Sequence, residues 1–149
     1  ITQFTYFQQM AGFECKPVSV EITYGLERIC MFTQQKKNVY ELEWNNNGVK
    51  YREVYHQSEK EFSKYNFEYA NTEVLFKIFD MYEAEAISLI KHKISLPAYD
   101  QCLKASHVFN VLDARGSISV AERADYIGRI RNIVKSVAEV WIETQQAVL

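Results

Sequence analysis

The sequence lacks any apolar run long enough to cross a bilayer, and no basic segment followed by an apolar core and small cleavage residues opens it. It also lacks an excess of one charge. Seventeen Lys and Arg stand against nineteen Asp and Glu, for a net charge of −2 across 149 residues. That balance argues against wrapping nucleic acid by bulk charge, so contact with RNA has to be local. Cysteine is sparse and odd in number: Cys15, Cys30 and Cys102 are far apart, with no C-x-x-C and no Cys/His pair at metal spacing. They read as free, mostly buried thiols in a reducing compartment. His56, His92 and His107 are equally scattered, which leaves no expected metal site, and His107 reads as a partly buried imidazole. The expectation is a protein that neither spans a membrane nor is exported. No internal repeat or low-complexity tract appears.

What is present changes character near residue 58. Before it, β-branched and aromatic residues dominate. Residues 1–8 alternate, with Phe4, Tyr6 and Thr2 on one face and Gln3, Thr5 and Phe7 on the other, the pattern of a strand whose faces differ. Ala11 to Glu14 supply a turn, and residues 16–24 read as a second strand, with Pro17 tolerated at its start. Strands this close pair antiparallel. Gly25 ends the second, and residues 26–32 suit a helix with Leu26, Ile29 and Met31 or Phe32 inward. Asn45-Asn46-Asn47-Gly48 is turn material for a hairpin between residues 40–44 and 49–51. A helix over residues 51–65 follows from a looser mixture of charged and aromatic residues.

Beyond residue 70 the 3.6-residue period is clear. The first helix has an Asn71 cap and an apolar stripe of Leu75, Ile78, Phe79, Tyr82, Ala86, Leu89 and Ile90. The second begins at Ser95 or Leu96, carries Tyr99, Cys102, Leu103, Phe109 and Leu112, and stops at Gly116. Ser119-Val120-Ala121-Glu122 is a capping box opening a third helix of about 27 residues, about 40 Å long, with Ile127, Ile130, Val134, Val137, Ala138 and Trp141 inward. Short loops make this an antiparallel bundle. Arg115, Arg123, Arg129, Arg131 and Lys135 form a basic run that reads as a solvated helix face, able to meet tRNA or an acidic partner.

The most informative segment is Glu21-Ile22-Thr23-Tyr24-Gly25-Leu26-Glu27-Arg28, at a strand-to-helix junction. A glycine lets a flat ligand approach the backbone, and an arginine just inside the next helix can face the same ligand, an arrangement that suits a nucleotide. This octapeptide resembles the third signature motif of class II aminoacyl-tRNA synthetases. With I-T-Q-F-T-Y-F-Q-Q, G-F-E-C-K-P-V-S, L-P-A-Y-D-Q-C-L-K-A-S-H and L-D-A-R-G-S-I-S-V-A-E-R, the chain resembles the α subunit of the bacterial two-subunit glycyl-tRNA synthetase.

The resemblance implies an α+β fold: part of a class II antiparallel sheet in residues 1–58, including the third motif, then a mostly helical domain in residues 59–149. It implies a cytoplasmic ligase that joins glycine to ATP as glycyl-adenylate, with Mg²⁺ at the phosphates, and passes glycine to tRNA(Gly). The implied partners are a β subunit in an α2β2 assembly and a second α subunit, with no membrane. Arg28 would be the catalytic, ATP-holding arginine and Gly25 the residue that leaves room for ATP. Glu21 resembles the acidic position that holds the substrate amino group in the related alanyl enzymes. Gln3 and Thr5, two apart on one strand face, are candidates for binding the amino acid. Phe7 or Tyr24 would exclude a larger side chain. Glu27 reads as structural. Val20 departs from the small glycine frequent before the acidic residue.

Because the chain opens at Ile1 in mid-pattern, it reads as the carboxy-terminal portion of a longer subunit. The family's first motif, which forms the α–α interface, and its second, which supplies another ATP-binding arginine, lie outside these residues. Residues 1–149 alone are therefore expected to be inactive. The alternatives are an alanyl-type synthetase, which shares G-L-E-R, and a non-catalytic helical interaction module.

Overall fold

A computed structural model describes residues 2–146. Ile1, expected in the first strand, lies outside them. The architecture is α+β: a two-stranded antiparallel sheet followed by helices, in two compact units, Ile1–Lys64 and Tyr65–Leu149.

In the first unit, β1 (Thr2–Met10) pairs antiparallel with β2 (Phe13–Tyr24). Ala11 and Gly12 both adopt positive φ at the turn, where glycine is the residue that does so without strain. The register sets Gln3 opposite Thr23, Thr5 opposite Glu21, Tyr6 opposite Val20 and Phe7 opposite Ser19, then slips between Phe7 and Gln9. The slip falls beside Pro17, which cannot donate to the ladder. Side chains opposite each other share a face, so the alternation expected for β1 extends across both strands. One face carries Gln3, Thr5, Phe7, Ser19, Glu21 and Thr23, and the other carries Phe4, Tyr6, Val20, Ile22 and Tyr24. Those five apolar side chains are 52–66% exposed.

Gly25 is the N-cap of α1 (Leu26–Thr33), with φ −79°. Its conformation is one that any residue adopts, so only its missing side chain can matter there. Ile29, Cys30 and Met31 are partly buried, but Leu26 and Phe32 are exposed, contrary to the expected inward stripe. An eight-residue helix has room to bury only one narrow face. A 3₁₀ turn (Val39–Glu41) replaces the start of the expected hairpin, which shrinks to a single bridge between Glu43 and Lys50, with the Trp44 amide donating to the Val49 carbonyl at 2.8 Å. Helix α2 (Tyr51–Lys64) follows.

The second unit opens with a π-helical turn, Tyr65–Tyr69, and continues as α3 (Thr72–Lys91), α4 (Ser95–Ala114) and α5 (Val120–Gln146). The Asn71 side chain accepts from the Val74 amide, as an N-cap should. Gly116, with φ +65°, closes α4: its amide donates to the Asp113 carbonyl and that of Ser117 to the Leu112 carbonyl, a Schellman ending that requires the left-handed residue. The Ser119–Glu122 capping box is reciprocal, at 2.8 and 3.2 Å.

The core is layered. Leu75 and Phe79 of α3 meet Ala105, Val108, Phe109 and Leu112 of α4, with Tyr126 of α5 against them. Farther along, Ala86 meets Ala98, Cys102, Ile133 and Val137. Rising numbers on α3 thus meet falling numbers on α4 and rising numbers on α5, so α4 runs antiparallel to both. Alanines at 86, 98 and 105 let the helices approach closely. Tyr99, Leu103 and Trp141, expected inside, are about half exposed, their places taken by Ala98, Ala105 and Val140. His107 is exposed rather than partly buried, and of the three free thiols only Cys102 is buried.

The basic run is not a solvated face. Arg129 bonds Glu83 and Asp80 and lies over the Phe79 and Tyr126 rings at 4.6 and 5.0 Å. Arg123 pairs with Asp113 at 3.1 Å, and Arg115 donates to the Phe67 and Ala70 carbonyls at 2.7 and 3.3 Å. Three of the five cations therefore tie helices together instead of awaiting a partner.

Candidate functional site

The ribbon register brings Gln3, Thr5 and Glu21 onto one face, with Thr5 directly across from Glu21. Period-two alternation keeps Gln3 and Thr5 together on β1, and pairing adds the carboxylate from β2. Thr23, a residue the sequence reading passed over, donates its hydroxyl to Glu21 Oε1. The same alternation could have found it, since Thr23 lies two residues beyond Glu21 on the same strand. The bond restricts the Glu21 rotamer and leaves its second oxygen for another donor.

Phe7 shares this polar face. Tyr24 does not: it pairs with Thr2 and stands on the opposite face, which removes it as a wall beside Glu21. Val20 likewise turns away from Glu21, packing beside Tyr6, so its β-branch stiffens the strand without crowding the carboxylate.

Gly25 and Arg28 follow on the turn and first helical residues beyond β2. Among the described residues, no side-chain cap bond is made at the α1 N-terminus, whose cap residue Gly25 has no side-chain acceptor. Arg28 is exposed and, among the described residues, has no carboxylate within ion-pair distance, Glu21 included. Successive residues turn about 100° on a helix, so Arg28 lies about 150° round α1 from the Leu26, Glu27 and Cys30 side. Glu27 accepts from the Tyr51 hydroxyl at 3.4 Å, a contact within its own unit.

The pieces are an acceptor for a cation, neutral donors beside it, and a guanidinium on the next element. A family model described as the glycyl-tRNA synthetase alpha subunit matches residues 1–146. The chain belongs to that family. Its class of activity is therefore that of an aminoacyl-tRNA ligase subunit serving protein synthesis. No described helix is long and apolar enough to cross a membrane. Among the described residues of this family member, no three His, Cys, Asp or Glu side chains converge as a metal site.

Proposed function

We propose that the chain contributes part of the site of an α subunit that activates glycine with ATP and serves its transfer to tRNA(Gly), as the partner of a β subunit in an α2β2 assembly built on an α–α dimer in the cytoplasm. The observation that supports this reading best is the single face holding Gln3, Thr5 and Glu21 immediately before Gly25 and Arg28.

Glycine offers only an ammonium and a carboxylate, so its pocket needs an acidic acceptor, neutral donors and little space. Glu21 accepts from the ammonium, with Thr23 holding the carboxylate in place. The Gln3 amide and Thr5 hydroxyl bind the remaining polar atoms. Phe7, on the same face, limits room for a side chain. The glycine carboxylate then attacks the α-phosphorus of ATP, the new C–O–P linkage forms, and pyrophosphate leaves with the electrons of the broken P–O bond. Arg28 stabilises the phosphate charge, and Gly25, without a side chain, leaves the nucleotide room. Mg²⁺ would screen the phosphates. Mg²⁺ of this kind is held largely by phosphate oxygens and water, and the side chains of this chain would contribute binding, orientation and, through Arg28, charge stabilisation.

Both faces of the ribbon are open to solvent in this chain, and a two-stranded hairpin is marginal alone. Residues 1–149 by themselves should accordingly give no glycine-dependent ATP–pyrophosphate exchange. The test of the reading is that exchange measured on the complete subunit with glycine and with alanine. Exchange with glycine alone is the expected result. A preference for alanine, or no exchange with either, would overturn it.

A further inference from the structure

The first unit carries a concave feature on the side of α1 turned away from Arg28. A groove of about 400 Å³ is lined by Leu26, Glu27 and Cys30 of α1, by Leu42, Glu43 and Trp44, and by Tyr51 and Tyr55 of α2. Its aromatic walls stand steeply to one another. Trp44 meets Tyr55 at 5.5 Å and 72°, and Tyr51 at 6.2 Å and 66°, while Tyr51 and Tyr55 are 4.7 Å apart. The walls are fixed by the local fold. Tyr51 and Tyr55 are one helical turn apart, and the Glu43–Lys50 bridge sets Trp44 beside the start of α2.

Two acidic residues, Glu27 and Glu43, also line the groove. Among the described residues the Glu27 carboxylate meets only the Tyr51 hydroxyl, at the long distance of 3.4 Å. Glu43 has its backbone held by Gln34, yet among the described residues its carboxylate has no cation within 4 Å, even with Lys50 across the bridge. The Tyr51 phenol is held above its ordinary pKa by partial burial first and by the neighbouring Glu27 carboxylate second.

We propose that this groove docks an arginine side chain of a partner protein. A guanidinium presents flat faces to aromatic rings and edge donors to carboxylates, so it satisfies both features of the groove together. Nucleic acid fits poorly: bases would stack on Trp44 and Tyr55, but two uncompensated carboxylates repel the phosphates. The groove lies apart from Glu21 and Arg28, so this inference stands whether or not the glycine-activation reading holds.

Cys30 lies in the groove and Cys15 outside it, which provides an internal control. The experiment measures alkylation of Cys30 in the complete subunit, followed peptide by peptide in a mass spectrometer, during titration with a blocked tetra-arginine peptide. Saturable slowing at Cys30 with Cys15 unaffected is expected, and the half-protecting concentration should rise about fivefold in Glu27→Gln/Glu43→Gln. Gln is nearly isosteric with Glu and both residues are exposed, and an unchanged urea unfolding midpoint in the double variant checks that the fold is preserved. No protection, protection unchanged in the double variant, or equal protection by a short single-stranded RNA would each overturn the proposal.

Discussion

Thr5 and Glu21 face one another across the antiparallel ribbon, and that pairing puts a neutral hydroxyl beside a carboxylate that Thr23 already holds. A one-residue slip in register would send one of the pair to the apolar face with Tyr6 or Ile22. The polar face therefore exists only in this pairing. Replacing Thr23 with Val removes the hydroxyl without changing the shape, and the glycine KM in ATP–pyrophosphate exchange should rise about three- to tenfold, the ATP KM staying within twofold, in line with a net hydrogen bond of about 1 kcal/mol.

Phe7 and Tyr24 stand on opposite faces, and this separates their effects on selectivity. Phe7→Ala enlarges the space beside Thr5 and Glu21 and should raise alanine-dependent exchange relative to glycine by about tenfold, the scale of a methylene-sized difference. Tyr24→Ala should leave that ratio unchanged. Steady-state exchange with both amino acids measures the comparison.

Arg129 anchors α5 to α3. Its Nη2 lies 2.6 Å from Asp80 Oδ1 and its Nε 3.1 Å from Glu83, on top of the Phe79 ring. Arg129→Ala leaves the mostly buried Glu83 carboxylate without its partner and should cost about 1–3 kcal/mol in urea unfolding. Arg131→Ala, at an exposed position on the same helix, should change stability by less than about 0.5 kcal/mol.

Glu122 makes the stability of the bundle depend on acid. The Ser119 hydrogen bonds hold its carboxyl below its ordinary value of 4.5. A folded-state pKa below the unfolded one stabilises the fold above the unfolded value, and that contribution is lost as pH falls through the folded value. The urea midpoint of the wild-type chain should exceed that of Glu122→Gln at pH 7, and the gap should shrink below pH 4.5. A gap that stays constant or widens in acid would contradict the capping role.

Much of this was legible in residue order, because local rules dominate where the reading succeeded. Alternation gave the faces of β1, and Asn71, Gly116 and the Ser119–Glu122 box announced helix ends through backbone groups that must be satisfied nearby. The failures are tertiary. Tyr99 and Leu103 are apolar but lie outside, since α4 packs through Ala98, Cys102 and Ala105, and apolar residues occur all round it. Arg129 looked solvated because its carboxylates lie on α3, far away in sequence. Among site residues, period-two spacing alone groups Gln3 with Thr5 on β1 and sets Tyr24 on the opposite side of β2 from Glu21, whereas the meeting of Glu21 with Gln3 and Thr5 depends on the register between the strands.

The most direct measurement compares Glu21→Gln and Arg28→Ala in glycine-dependent ATP–pyrophosphate exchange by the complete subunit. Loss of a charged hydrogen bond worth about 1.5–3 kcal/mol predicts a glycine KM raised about 10- to 100-fold by the first change and an ATP KM raised similarly by the second, each with little effect on the other substrate. Wild-type kinetics for both variants would contradict the assignment of residues 21 and 28 to one site.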